Sequence, residues 1–131
     1  MQTDIQTSLA PWLTYWDCPK AVQFYKNAFD AIETYRLESP DGGLVVQLSI
    51  RGAIFWLSSG SDGKDENENV GGRTVRIILT VDDPYPIFEK AKNAGAKEIF
   101  PIGEGYGWLL GRIVDPFGLH WEIGHPLPID H

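Results

Sequence analysis

The sequence predicts an α+β fold built from two tandem βαβββ modules, and three observations in its 131 residues predict it. The order of strand-like and helix-like segments runs through once and then repeats. Asp17-Cys18-Pro19 and Asp82-Asp83-Pro84 open helices with the same chemistry at an offset of 65 residues, and Lys26-Asn27-Ala28 returns as Lys92-Asn93-Ala94 at an offset of 66. The stretch Asp115–Gly124 then closes the second repeat with a turn and an alternating strand. Self-similarity at a fixed spacing marks a duplicated structural unit. One helix per unit covers one face of its strands and leaves the other face free to curl around a ligand. The expected organisation is a single domain over 1–131, with modules at about 8–59 and 74–124 and a linker at 60–73.

Each element has its own local reason. Leu9 to Trp16 is aromatic-rich and strand-like, with Pro11 marking an edge. Proline suits the first helical turn, so Asp17 or Cys18 caps the helix that follows. Ala21, Phe24, Tyr25, Ala28, Phe29 and Ile32 lie at the spacing of one apolar helical stripe. Ile32 to Glu38 and Leu44 to Ile50 read as strands around the turn Ser39-Pro40-Asp41-Gly42-Gly43, and Arg51-Gly52 turns into a strand from Ala53 to Ser58. The linker is acidic, polar and bounded by glycine; its acids do not follow the spacing of a calcium loop. Thr74 to Val81 is the fifth strand. The second helix carries Ile87, Phe88, Ala91 and Ala94 on one stripe and ends at Gly95. Strands at Glu98–Ile102, Trp108–Val114 and Leu119–Gly124 complete the pattern, with Gly103 to Gly107 read as a mobile loop between the first two.

Composition narrows the function classes. Hydrophobic residues make up 43% and charged residues 22%, ordinary globular usage that excludes global disorder. The net charge of −7, with no Lys/Arg cluster, argues against a nucleic-acid partner. No apolar run approaches the roughly 18 residues of a membrane helix, and Met1 to Ser8 lacks the build of a signal peptide. One cysteine, Cys18, cannot pair within the chain. A cytoplasmic location is expected.

The stretch Asp115-Pro116-Phe117-Gly118-Leu119-His120-Trp121-Glu122-Ile123-Gly124 carries the strongest functional signal. Proline presets φ and glycine accepts the positive φ of a tight turn. Alternation after the turn sends His120 and Glu122 to one face and Trp121 and Ile123 to the other. An imidazole and a carboxylate displayed opposite a buried tryptophan make one wall of a binding site.

These residues, together with Asp17…Phe24-Tyr25…Ala28-Phe29, Val81-Asp82-Asp83 and Ala94-Gly95-Ala96, resemble the vicinal oxygen chelate superfamily of glyoxalase I, bleomycin-resistance proteins and extradiol dioxygenases. The likeness spans about residues 8 to 124 and is nearest to small glyoxalase-like and PhnB-like bacterial proteins. It implies a U-shaped mixed sheet with a concave pocket, a homodimer, and, in the enzymes, a metal held by side chains from the first and last strand of each module. Carried onto this chain, those positions are Ala10, Trp56, Arg76 and Glu122. Only Glu122 is a competent ligand, since a guanidinium does not deprotonate to bind a divalent ion. No metal and no cofactor are therefore expected. An Arg76/Glu122 ion pair is expected where the metal would stand.

The remaining candidates follow from the same register. Trp12 shares the face of Ala10, and Trp16 continues that alternation. Trp56 occupies a ligand position, so both Trp12 and Trp56 are expected to line an aromatic cavity. His120 lies two residues from Glu122 and is read as a histidine at the pocket mouth. Gly103–Gly107 precedes a strand, which disqualifies it as a phosphate cradle and leaves Tyr106 or Trp108 as lid contacts. Cys18 has a structural role, and His125 and His131 belong to a solvated tail. The expected function is a small-molecule-binding protein. The alternative is a metal-dependent lyase, isomerase or dioxygenase that recruits His120 or Gln47 beside Glu122.

Overall fold

The computed structural model describes residues 8–60 and 75–128, so the predicted linker and His131 lie outside the described residues, Gly60 excepted. The first module comprises β1 (Trp12–Tyr15), α1 (Cys18–Phe29), β2 (Ile32–Glu38), β3 (Leu44–Ile50) and β4 (Ala53–Ser59). The second comprises β5 (Ile77–Thr80), α2 (Pro84–Ala94), β6 (Lys97–Gly105), β7 (Trp108–Val114) and β8 (His120–Pro126). Each forms a four-stranded sheet, in the orders β1-β4-β3-β2 and β5-β8-β7-β6. The first strand of each module runs parallel to the last, and the remaining pairs are antiparallel. Two βαβββ modules are thus present, as the repeat predicts.

The helix starts follow from their caps. Asp17 accepts a hydrogen bond from Lys20 N at 3.2 Å, and Asp83 accepts one from Tyr85 N at 3.2 Å, each satisfying an amide that the first turn leaves open. On α1, Ala21, Phe24, Tyr25, Ala28 and Phe29 are buried. Ile32 does not extend that stripe: the chain leaves the helix at Asp30 in a left-handed conformation, and Ile32 opens β2 exposed to solvent. Gly111 lets α2 approach β7, because a Cβ there would sit 2.6 Å from a ring carbon of Phe88.

Several boundaries differ from expectation, β5 among them, which runs Ile77–Thr80 and stops short of Val81. β1 is four residues long: Pro11 has no N–H for the ladder and only accepts from Trp56 N at 2.9 Å, while Trp16 belongs to a turn. Gly103 to Gly105 are not loop but the end of β6, paired with Leu110, Leu109 and Trp108. Only Tyr106 and Gly107 turn the chain, both at positive φ (52° and 81°), as a two-residue hairpin requires. His125 is likewise not in a tail; it sits in β8 opposite Leu109.

The inner faces of both sheets meet the helices in one apolar cluster. Trp121 on β8 reaches into the first module, with ring centroids 4.7 Å from Phe29, 5.5 Å from Tyr25 and 5.8 Å from Phe55. The turn at Asp115 locks the same junction. Its carboxylate, almost fully buried, accepts from the backbone of Phe117 (2.9 Å) and Leu119 (3.0 Å), from Trp121 Nε1 (3.0 Å) and from the Tyr25 hydroxyl (2.5 Å). Tyr25 has spent its only proton on Asp115, so Tyr15 donates to Tyr25 in the 2.5 Å contact between them.

Candidate functional site

With the inner faces committed to the core, the outer faces carry what chemistry the chain displays. Strand register lines up one row of side chains across each sheet. In the first module the row is Trp12, Trp56, Gln47 and Tyr35. In the second, the matching row is Ile78, Glu122, Arg112 and Phe100. The offset of 66 read from the sequence maps Trp12 onto Ile78 and Trp56 onto Glu122, and both pairs occupy equivalent ladder positions.

A groove of about 670 Å³ lies over the second row, within the size range of small-molecule sites. Arg76, Arg112 and Glu122 furnish its charged floor; Ile78, Phe100, Trp108 and Leu110 furnish apolar wall, and Glu104 and Tyr106 stand at the hairpin end. Arg76 Nε lies 3.3 Å from Glu122 Oε1. The arginine side chain is 44% exposed and the glutamate 13%, so the pair lies at the water boundary rather than in the interior. Arg112 is the direct cross-strand partner of Glu122, and both line the groove.

His120 is on the same face, opposite Val114 of β7. Burial lowers its pKa, and the positive charges of Arg112 and Arg76 lower it further. A neutral imidazole is the result near pH 7. Its Nδ1 is shielded from solvent and has no hydrogen-bond partner among the described residues.

The seven site residues expected from the sequence divide between the two sheets. Arg76, Glu122, Trp108 and Tyr106 line the groove, and His120 lies two residues from Glu122 on β8 without lining it. Trp12 and Trp56 do not: they stack on each other in the first sheet, with ring centroids 5.7 Å apart and planes at 17°. Tyr35 meets Trp56 edge-on at 5.7 Å, and Trp12 Nε1 donates to Ser58 Oγ at 2.9 Å. Trp16 stands apart, beside Asp41–Gly43 and Ser59–Gly60. Tyr106 is at the tip of a tight hairpin, fully exposed, rather than on a mobile loop. Gln47 points along the tryptophan row and accepts from Thr34 Oγ1 through its side-chain oxygen at 2.7 Å.

The metal of the related enzymes does not fit this donor set. Of the four positions, Ala10 carries no donor, Trp56 is stacked on Trp12, and Arg76 contributes a fixed positive charge already facing Glu122. A divalent ion there would meet one carboxylate and a guanidinium. Cys18 is buried at the start of α1, and burial pushes its thiol up to about 11, the opposite of an activated cysteine.

Arg112 and Asp115 were not singled out from the sequence. The repeat carried the signal for Arg112, since an offset of 65 makes it the equivalent of Gln47 in the other module. Asp115 reads as a turn residue, and Tyr25, the partner that makes it a hub between modules, comes from 90 positions away in the chain.

The profile of the glyoxalase/bleomycin resistance protein/dioxygenase superfamily matches residues 9–123. Uncharacterized proteins of Mycobacterium bovis and Mycobacterium tuberculosis are 36% identical over 97% of this chain, which covers 88% and 79% of their lengths. Among solved structures, the fosfomycin resistance protein FosX from Listeria monocytogenes superposes with a TM-score of 0.72 at 16% identity, covering 94% of this chain and 95% of that one. TioX from Micromonospora gives 0.72 at 22% identity, with 93% and 100% covered. A variant of glyoxalase I from Zea mays gives 0.74 at 17%, with 92% of this chain and 44% of that one covered. The fold is therefore shared with a fosfomycin resistance protein and with glyoxalase I alike, and the chain belongs to the glyoxalase/bleomycin resistance protein/dioxygenase superfamily.

Proposed function

We propose that this protein binds a small organic molecule, without a metal, in a site anchored by Arg76 and Glu122. The observation that carries the reading is the groove of about 670 Å³, apolar along its walls and charged on its floor. Such a combination supplies contact area together with direction. Our reading groups it with the glyoxalase-like and PhnB-like small proteins of its superfamily and puts it in a reducing cytoplasm, which would suit the buried thiol of Cys18.

A homodimer is part of this proposal. One module alone lines the groove, while Trp12 (55% exposed) and Tyr35 (47%) leave the aromatic row of the other sheet open to water. A contiguous exposed aromatic face favours cover by another surface. In a two-fold pair, each aromatic row can close the charged groove of the other copy, which joins Trp12 and Trp56 to Arg76 and Glu122 in one cavity.

Light scattering should give about twice the chain mass of 14.7 kDa. A planar hydrophobic probe should quench tryptophan fluorescence saturably, and Trp56→Ala should weaken its binding while the fold stays intact. A monomer that binds the probe normally would remove the dimer. Unchanged affinity in Trp56→Ala would remove the aromatic row from the site.

A further inference from the structure

Two glycines of the groove have no reason within the fold to be glycine. Elsewhere in the second sheet, Gly111 and Gly124 are fixed by packing: a Cβ would lie 2.6 Å from a ring carbon of Phe88 at the first and 2.6 Å from Leu110 Cα at the second. Gly103 and Gly105 of β6 meet no such limit. Neither adopts the left-handed φ that favours glycine, and a Cβ at either has no heavy atom beyond its chain neighbours within 4 Å. A side chain would fit, and the strand would gain by it, because glycine has nothing to pack and loses the most backbone freedom on ordering. The chain keeps bare a stretch of strand that its own fold does not require to be bare.

The register shows what the bare stretch faces. Gly103 pairs with Leu110 and Gly105 with Trp108, and all four line the groove. Directly opposed residues of an antiparallel pair share one face of the sheet, so a side chain at either glycine would stand in the groove beside Leu110 or Trp108. We propose that Gly103 and Gly105 are specificity-determining residues, whose missing side chains leave a slot over the backbone of β6 for a flat aromatic ring. This rests on the proposed binding groove and adds the shape of its occupant.

The walls and the length of the slot fit that shape. Positions 103 and 105 are two apart, so the strand runs bare for roughly 7 Å, about the width of one ring. Trp108 and Leu110 border it from β7, and Phe100 lies further back along β6 on the same groove. Aromatic neighbours favour an aromatic guest, which they meet by offset or edge-on contact. Without a Cβ to hold it off, a ring can lie at van der Waals distance from the peptide planes along the whole strip; glycine in a strand is suited to such close approach. A globular body with the same number of carbons touches the strip along one line and gains less contact area.

The test uses two neutral alcohols of equal carbon number, flat 2-naphthol and globular 1-adamantanol, titrated into the intact protein by calorimetry. 2-Naphthol should bind at least about tenfold more tightly than 1-adamantanol. Gly105→Val puts an isopropyl group into the slot and should weaken 2-naphthol by about tenfold or more. Gly105→Ala, with a single methyl, should weaken it by less, and the same pair of changes at Gly103 should follow the same order. All four variants should unfold in urea at or above the midpoint of the parent, since the added side chain suits a strand. Gly103→Ser and Gly105→Ser carry the size comparison if valine prevents folding. Equal losses of binding in the alanine and valine variants would point to lost backbone freedom instead of filled space and overturn the slot. Alanine variants less stable than the parent would make the glycines structural and overturn it too. Unchanged 2-naphthol affinity in the valine variants, or equal affinity of the parent for the two alcohols, would overturn the slot and leave the small-molecule groove standing. No binding of either alcohol to the folded parent would remove both.

Discussion

The two modules share a backbone plan and differ in what they do with it. Each pairs its first strand with its last in parallel and presents one row of side chains outward. In the first module that row is an aromatic platform built on the Trp12–Trp56 stack. In the second, the equivalent positions hold Ile78, Glu122, Arg112 and Phe100. Their third-to-fourth strand connections differ as well. Arg51-Gly52 is a two-residue turn, whereas Asp115 to Leu119 is longer and sends a carboxylate into the core to bond with Tyr25 of the other module. A duplicated scaffold thus separates two tasks. One copy offers apolar contact area, and the other offers charge and the lock that holds the modules together.

The largest break in that comparison should come at the lock. Asp115→Ala leaves two amides, an indole N–H and the Tyr25 hydroxyl without their acceptor in a dry site, which should cost about 3–5 kcal/mol in urea unfolding. Arg51→Ala at the corresponding turn should change stability by about 0.5 kcal/mol or less. Similar losses at both turns would mean that the lock is not specific to the second module.

Next in size is the effect of pH on the same residue. Burial raises the pKa of Asp115 from its ordinary value, against the pull of its donors. The folded chain therefore holds that proton more tightly than the unfolded chain. Its contribution is full below the unfolded pKa and is lost as pH rises through the folded pKa. Unfolding titrations should show the advantage of the parent over Asp115→Asn shrinking as pH rises through this window. A widening gap would show that the donors outweigh burial.

The charged row should matter less to stability than its chemistry suggests. Arg76→Gln should cost about 1 kcal/mol or less, since the arginine is nearly half exposed and water screens the pair. The double variant with Glu122→Gln should lose less than the two single losses combined, as expected of residues in contact. Losses of several kcal/mol at Arg76 alone would make the pair a structural element and weaken its claim on a ligand.

The smallest effect lies on the outside of the first module. Glu33 is held down to about 2 by hydrogen bonds from Arg36 and Lys26. Its contribution is present above the unfolded carboxylate pKa and is lost as pH falls through about 2. Exposure keeps it to about 1 kcal/mol or less. Glu33→Gln should flatten the acid limb of the stability profile slightly and leave neutral pH almost unchanged. A neutral-pH loss as large as that of Asp115→Ala would overturn this ranking of the two acids.

Much of this architecture was legible in residues that act locally. Asp17 and Asp83 cap their helices because a short acceptor reaches amides within one turn, and Pro19 and Pro84 sit where no amide is needed. β2, β3 and β7 begin and end where alternation and turn residues placed them. Period-two alternation also assigned His120 and Glu122 to the face opposite Trp121, and the repeat supplied the equivalence of Trp56 and Glu122. What failed was the reading of glycines as loop: Gly103 and Gly105 lie in a paired strand, where ladder hydrogen bonds from β7 outweigh weak strand propensity.

Sequence by itself determined the two modules, their caps and their alternating faces. Tertiary structure alone decided that the tryptophan pair and the Arg76–Glu122 pair lie on separate sheets, that Arg112 faces Glu122 across the strand ladder, and that Asp115 is a buried hub instead of a simple turn residue. The reason is range. Caps, turns and strand faces are set by neighbours a few positions away, whereas a groove and a buried acid depend on which distant strands and helices pack together, and no local spacing encodes that packing.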